Sequence, residues 1–191
     1  MLSESFFEKD VAVLAKELLG YELIHSSPEG LTAGIIVETE AYHQIDEASH
    51  SYRGKTKRTA VMFGPPGRVY TYFTYGMHWC FNITAESEGI GAGVLIRALE
   101  PTRGIELMSA RRGGKPIREL CSGPSKLVQA MGISRTDYGK LVFKGEFRLK
   151  PRAQSGSLAI RSGPRIGISK AKDTAWRFWI QDNQFVSRKV I

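Results

Sequence analysis

Residues 31–42 read LTAGIIVETEAY, and this stretch determines more of the fold than any other. Its first half is apolar and β-branched and its second half is acidic, which predicts a strand that begins in the core and ends at an edge. Alternation along an extended chain puts Glu38, Glu40 and Tyr42 on one face. This face either places a general base in an apolar pocket or is the exposed, acidic end of a strand.

A second unusual stretch, GRVYTYFTYGMHWCFNIT at residues 67–84, is rich in aromatic side chains. It predicts a β-hairpin that turns near Tyr75 and Gly76, because glycine tolerates the positive φ of a tight turn. Alternation sends Tyr70 and Tyr72 to one face and Phe73 and Tyr75 to the other, so these rings cannot all enter one core. The alternatives are core packing and a wedge at the hairpin tip that unstacks nucleic-acid bases.

The rest of the chain shows weaker patterns. Asp10 is expected to cap a helix that continues to Gly20, and Pro101 is expected to stop a buried strand. The predicted elements are a helix at 11–19, a loop with short helical turns at 46–63, a strand at 92–99, helices at 103–111 and 125–131, and strand-like runs at 165–169 and 176–180. Strands and helices do not alternate as in βαβ units. We therefore expect one α+β domain over residues 1–191, a mostly antiparallel mixed sheet with surrounding helices and a protruding β-hairpin.

Composition limits the classes of protein to consider. The 191 residues include 27 Lys and Arg against 19 Asp and Glu, a net charge of +8, and 42% of the residues are hydrophobic. These values are typical of one globular domain, and the positive charge suits a nucleic-acid partner. No apolar run approaches the roughly 18 residues of a membrane span, and the N-terminus lacks the features of a signal peptide. We expect no membrane partner and no secretion, but a location at the nucleoid in a bacterial cytoplasm or in a eukaryotic nucleus.

Motifs for metals and nucleotides do not fit. Gly54-Lys55-Thr56 resembles the end of a P-loop, but Ser49 stands where that motif needs its first glycine. The two cysteines, Cys80 and Cys121, form no CxxC pair, and the histidines show no zinc-ligand spacing. The sequence predicts no metal and no cofactor.

Five motifs follow one another along the chain: VETEAY at 37–42, DEASH at 46–50, VYTYFTYGMHWCFNI at 69–83, VLIRALEP at 94–101 and ELCSGPSKL at 119–127. In this order they resemble the motifs of the alkyladenine (3-methyladenine) DNA glycosylase family. The resemblance spans the chain from about Phe6 to Val186. It implies a monomeric, monofunctional enzyme of base excision repair whose partner is double-stranded DNA. Such an enzyme flips a damaged purine (3-methyladenine, 7-methylguanine, hypoxanthine or ethenoadenine) out of the duplex and hydrolyses its N-glycosidic bond.

The resemblance also assigns roles to residues. Glu40 would be the general base that activates water, and Arg97 would position that carboxylate and the water. The base pocket would be walled by Tyr42, His50 and Tyr72, with Asn82 at the 2-position of the purine. At the hairpin, Tyr75 would fill the gap left by the flipped nucleotide, with Met77 and His78 along the minor groove.

Two other functions are compatible with parts of the pattern. A non-catalytic nucleic-acid-binding module could stack bases on the aromatic hairpin, with VETEAY as a surface strand. A two-carboxylate glycoside hydrolase could use Glu38 and Glu40, but such enzymes bring their carboxylates to the bond from opposite sides. Glu38 and Glu40 are predicted to share one strand face, which fits that class less well.

Overall fold

One long strand, β2 (Gly30–His43), is the centre of the fold. The computed structural model describes residues 2–74, 78–151 and 157–187 of the chain. In this part β2 pairs along one edge with β5 (Ala92–Arg103), and on its other edge first with β1 (Glu22–Ser27) and then with β8 (Arg177–Ile180). Because two strands share that edge in succession, the sheet curls around the acidic end of β2.

The remaining elements extend this arrangement. The other strands are β3 (Val69–Thr74), β4 (His78–Thr84), β6 (Phe147–Lys150) and β7 (Ile160–Gly163). The order β3-β4-β5-β2-β1-β6 is antiparallel throughout, and β7 pairs with β8. The α-helices are α1 (Val11–Glu17), α2 (Ile105–Arg111), α3 (Ile117–Leu120) and α4 (Pro124–Met131), and short 3-10 helices occupy Glu4–Phe7, Ala60–Phe63 and Arg135–Asp137. No helix among the described residues is long and apolar enough to cross a membrane.

Helix α1 packs on one face of β2 and so determines which side chains the other face presents. Asp10 caps the helix by accepting hydrogen bonds from the amides of Ala12 and Val13. The Thr39 hydroxyl donates to the Ala15 carbonyl at 2.7 Å, so Thr39 points toward this helix. Alternation then directs the side chains of Glu38, Glu40 and Tyr42 to the opposite face.

Two β-bulges lie where β2 and β5 pass the acidic end of the sheet. The pairing moves from Ile36 opposite Leu99 to Glu38 opposite Ala98, which leaves Val37 as an extra residue on β2. One step later Arg97 is the extra residue on β5. Bulges redirect side chains and are frequent beside active sites. Here they turn the Arg97 side chain toward the carboxylates of β2.

The structure confirms the α+β class and most predicted elements, and it corrects three predictions. The acidic part of β2 is not at an edge: residues 38–40 pair with β5 on one side and with β8 on the other, and both glutamates are fully buried. Pro101 does not end its strand: β5 continues to Arg103, because β4 pairs with β5 only at Gly93–Leu95 and a proline is tolerated where a strand has a free edge. Residues 165–169 form a loop instead of a strand, since Pro164 precedes them and Gly167 has a φ of +80°. Strands β3 and β4 pair as the predicted hairpin, whose tip at 75–77 lies outside the described residues, and whether the hairpin protrudes stays a prediction.

Candidate active site

A cavity of about 460 Å³ opens on the face of the sheet opposite α1. Its walls come from the end of β2, the facing side of β3 and β4, the loop at 47–50 and the loop at 166–170. The lining includes five of the predicted site residues, Tyr42, His50, Tyr72, Asn82 and Arg97. The volume is within the range of small-molecule sites, and the walls combine aromatic rings with a few polar groups, which is typical of such sites.

Glu40 lies behind this wall and is fully buried. Its Oε2 accepts a 2.7 Å hydrogen bond from the Tyr42 hydroxyl, and its Oε1 accepts a 2.8 Å bond from the backbone amide of Ile166. Arg97 Nη1 is 3.2 Å from the same Oε1. A buried carboxylate is stable only when it is paired and hydrogen-bonded, and these three donors meet that requirement.

Arg97 joins the two carboxylates of VETEAY. Its Nε is 3.3 Å from Glu38 Oε1, while its Nη1 faces Glu40. Burial alone would lower the pKa of Arg97, but the charges of Glu40 and Glu38 outweigh burial and raise that pKa above its ordinary value. Arg97 therefore carries a permanent positive charge at the cavity wall. Glu38 itself is fully buried and also accepts bonds from Arg177 and from the amide of Ser187.

Tyr42 stays protonated at this site. Burial is the main cause that raises its pKa well above the ordinary value, followed by the negative charge of Glu40. A protonated phenol donates a hydrogen bond and keeps a neutral aromatic face. Tyr42 can therefore orient the carboxylate through its hydroxyl while its ring forms part of the cavity wall.

The opposite wall is an aromatic cluster of His50, Tyr70 and Tyr72. The ring of His50 meets the ring of Tyr72 edge-on at 4.5 Å between centroids, and Tyr70 lies 5.5 Å from Tyr72. His50 Nδ1 forms a 3.0 Å hydrogen bond with the Tyr70 hydroxyl. Burial of the ring and then the neighbouring Arg58 cation lower the pKa of His50 to about 4, so this histidine is neutral at physiological pH.

Asn82 is buried at the cavity wall on β4. Its Nδ2 donates a 3.0 Å hydrogen bond to the backbone carbonyl of Tyr70 on β3. This bond fixes the amide plane relative to the hairpin. Cys80 precedes it on the same strand face and also lines the cavity, and burial raises the pKa of its thiol.

Three predicted residues lie at or beyond the limit of the described chain. Tyr75 and Met77 are outside the described residues, and for His78 only the backbone, at the start of β4, is described. Their roles at DNA stay predictions. The cavity brings together the other predicted residues, with Glu40 behind its wall and not on its surface, and their roles stay predictions.

Sequence reasoning missed part of this site. Alternation puts Tyr70 on the same strand face as Tyr72, and this pattern was sufficient to assign Tyr70 to the pocket as well. The loop at 166–170 and the first turn of α4, at Pro124 and Ser125, also line the cavity. The sequence did not indicate that this loop belongs to the site, because Ile166 bonds to Glu40, which is 126 residues away in the chain.

One group of side chains away from the cavity has ligand types that suit a metal. His25, Asp137 and Glu146 bring potential ligand atoms within 4.8 Å of one another, although His25 is far from the other two in sequence. Lys140 already donates hydrogen bonds to both carboxylates of this group. His25 bonds through Nδ1 to the Met131 carbonyl and stacks on Phe147. The group is therefore a structural contact between β1, β6 and the 3-10 helix at Arg135–Asp137.

Comparison with known proteins gives the class of enzyme, a DNA glycosylase, which is a hydrolase acting on N-glycosyl bonds in DNA. The sequence model of the methylpurine-DNA glycosylase family matches residues 5–184, nearly the whole chain. The chain belongs to this family. The motif resemblance in the sequence is thereby confirmed.

Relatives from bacteria and an archaeon agree with this assignment. A protein of Rhodopseudomonas palustris (strain HaA2) is 50% identical over 186 residues, covering 97% of this chain and 90% of the relative. A protein of Carboxydothermus hydrogenoformans is 47% identical, covering 99% of this chain and 100% of the relative. A protein of Methanoculleus marisnigri is 46% identical, covering 98% of this chain and 99% of the relative. All three are named as 3-methyladenine DNA glycosylases.

Proposed function

We propose that this DNA glycosylase removes alkylated and deaminated purines from double-stranded DNA in base excision repair, acting as a monomer at the nucleoid of a bacterial cytoplasm or in a eukaryotic nucleus. Its substrates would be 3-methyladenine, 7-methylguanine, hypoxanthine and ethenoadenine, and its product an abasic site. The observation that carries this proposal is the buried Glu40 held by Tyr42, Arg97 and the Ile166 amide at the wall of an aromatic cavity. The names of the relatives support the first of these substrates.

Glu40 can supply both requirements of the reaction. Cleavage of an N-glycosidic bond passes through a sugar with oxocarbenium character, which needs a nearby negative charge and a base that accepts a proton from water. In this proposal the Glu40 carboxylate supplies both. Arg97 fixes the carboxylate through Oε1 and keeps its own charge, while Oε2 faces the Tyr42 hydroxyl.

Water must reach Glu40 for this step. Among the described residues Tyr42 is the one donor to Oε2, and a carboxylate oxygen accepts a second hydrogen bond. Because Glu40 has no exposed surface, a small movement of the Tyr42 side chain at the cavity wall would be needed to admit the water. We propose that stacking of a base on Tyr42 causes that movement.

The neutral aromatic walls favour damaged bases over normal ones. A purine alkylated on a ring nitrogen is often cationic, and each aromatic face attracts such a ring by about 0.5–2 kcal/mol. Tyr42, Tyr72 and the uncharged His50 provide these faces. A histidinium at the same position would repel a cationic base, so the low pKa of His50 fits this selectivity.

The hairpin of β3 and β4 is proposed to hold the flipped state. Tyr72 and Asn82 of this hairpin line the cavity, so the tip that follows Thr74 would enter DNA beside it. In this proposal Tyr75 fills the gap in the duplex, with Met77 and His78 along the minor groove. An inserted side chain recovers part of the few kcal/mol lost when a base leaves the stack.

A lesion panel tests the proposal. Duplex oligonucleotides with a single hypoxanthine, ethenoadenine or 7-methylguanine are incubated with excess protein and then treated with alkali, which cleaves the strand at an abasic site. Scission at the lesion in the sample with wild-type protein, and its absence with Glu40→Gln, is the expected result. Binding to lesion DNA without scission would instead identify a non-catalytic module.

A further inference from the structure

We infer that Arg165 and Asp46 form a positioning pair for the proposed reaction, holding the 166–170 loop so that its first amide bonds to Glu40. The inference rests on the proposed function. Neither residue lines the cavity whose wall includes Tyr42 and Arg97, and neither is among the site residues predicted from the sequence. Asp46 belongs to the DEASH motif, of which only His50 was assigned to the site.

Arg165 is anchored from several directions. Its side chain is fully buried, and its Nη1 donates to the Ala41 carbonyl at 2.9 Å and to the Asp46 carboxylate. Its Nη2 reaches the Ala171 carbonyl at 3.4 Å. The bonds to Ala41 and Asp46 attach the start of the 166–170 loop to β2 and to the turn after β2. The bond to Ala171 attaches the end of the loop to the same arginine.

The guanidinium also supports the cavity wall. It lies 4.7 Å from the centroid of the Tyr42 ring and 5.5 Å from that of Trp176. Arginine stacks on aromatic faces while its planar fork donates in defined directions, a combination that lysine cannot reproduce. Arg165 therefore fixes the ring plane of Tyr42, the residue whose hydroxyl holds Glu40 Oε2.

The next residue gives the consequence for Glu40. The Ile166 amide donates to Oε1 at 2.8 Å, and the residues after it line the cavity as far as Lys170. Loss of the Arg165 anchor releases the Ile166 amide and also the Tyr42 side chain with its hydroxyl, and these two groups are two of the three donors to Glu40. Small displacements of a catalytic group lower rates strongly, by about 100-fold for 1 Å.

The excision rate per folded molecule, compared with duplex affinity, is a readout that a purely structural residue would not move. Release of the Ile166 amide and the Tyr42 hydroxyl displaces the Glu40 carboxylate that both groups contact. The rate per folded molecule then falls while affinity for the lesion duplex changes little. Arg165→Lys keeps the positive charge and removes the planar guanidinium with its several donors. This variant therefore separates the effect of loop position on the rate from the effect of charge.

The experiment measures single-turnover excision of hypoxanthine, affinity for the lesion duplex and the melting temperature. The variants are Arg165→Met and Arg165→Lys, with Arg161→Met as the matched control because Arg161 is an exposed arginine of β7 that bonds to Gln181. We expect both Arg165 variants to lose about 10-fold or more in rate with duplex affinity changed less than about 3-fold. The control should stay at the wild-type values.

Other results overturn the inference. A folded Arg165 variant with the wild-type rate, or with a rate that falls only with the folded fraction, makes Arg165 a structural residue. Failure of both variants to fold has the same meaning. If the wild-type protein itself excises none of the panel lesions, the proposed function fails first, and that failure is visible before any variant is compared.

Discussion

The Tyr42 hydroxyl donates a 2.7 Å hydrogen bond to Glu40 Oε2, so a phenol and a carboxylate two residues apart on β2 act as one unit. The tyrosine has its pKa raised well above the ordinary value, mainly by burial, and therefore remains a donor across the physiological range. Its ring meanwhile faces the cavity. In the proposed mechanism, this arrangement would link contact between a base and Tyr42 to the orientation of the Glu40 carboxylate.

Glu40→Gln should abolish measurable excision and leave affinity for lesion DNA nearly unchanged, because the amide keeps the shape of the carboxylate and removes its basicity. Single-turnover excision of hypoxanthine and a binding titration with the same duplex measure the two quantities. Glu22→Gln is the matched control, since Glu22 pairs with Arg103 on the far part of the sheet. Substantial excision by a folded Glu40→Gln variant would show that another group activates the water.

Glu38→Gln should affect stability more than Glu40→Gln does, with a smaller effect on excision. Glu38 is fully buried between Arg97 and Arg177, and removal of one partner from a buried ion pair costs about 3–5 kcal/mol. Chemical denaturation measures the loss of stability. Excision normalised to the folded fraction should retain more activity than in Glu40→Gln, because Arg97 keeps its contact with Glu40. Equal loss of normalised excision would make the two carboxylates a single catalytic unit.

The part of the candidate site on β2 was predictable from the sequence, because the pattern that indicates it lies within one short stretch of the chain. Alternation in VETEAY put Glu38, Glu40 and Tyr42 on one face, and the contacts of these residues confirm it. The bulge that turns Arg97 toward both carboxylates leaves no pattern in a single strand, so the role of Arg97 came from the family resemblance. The Arg165 anchor was missed for a related reason, since its partners Ala41 and Asp46 lie 124 and 119 residues away in the chain.

His50 should titrate with a midpoint near pH 4, because burial and the Arg58 cation lower its pKa from 6.5 to about 4. The unfolded chain binds this proton more readily than the folded chain does. The neutral ring therefore contributes stability that is present above about pH 6.5 and is lost as the pH falls toward 4. An NMR titration of the ring proton, assigned with His50→Gln, measures the midpoint. A midpoint near 6.5 would mean that the ring is freely solvated.

Tyr75→Ala should lower excision most where the damaged base is well paired, because the proposed wedge is needed to hold the flipped state open. The same lesion opposite a mismatched base should be less affected, since less pairing energy is lost there. Paired single-turnover measurements on the two duplexes give the ratio. Equal losses in both contexts, or a loss that follows a lower melting temperature, would assign Tyr75 to packing.

Asn82→Ser should raise removal of guanine relative to hypoxanthine. The two bases differ by the 2-amino group of guanine, and a shorter side chain at the buried cavity wall leaves room for it. The competing role for Asn82 is structural, because its Nδ2 bonds to the Tyr70 carbonyl and joins the two strands of the hairpin. Loss of that bond alone would lower excision of both bases together.

The ratio of the two excision rates separates these roles. Melting temperatures come from the same preparations, and Thr84→Ser is the control, because Thr84 is a buried polar residue of β4 outside the cavity lining. A higher guanine-to-hypoxanthine ratio for Asn82→Ser, with the control at the wild-type ratio, assigns selectivity to Asn82. An unchanged ratio in a stably folded Asn82→Ser variant would remove this residue from the selectivity of the pocket and leave it as a link between β3 and β4.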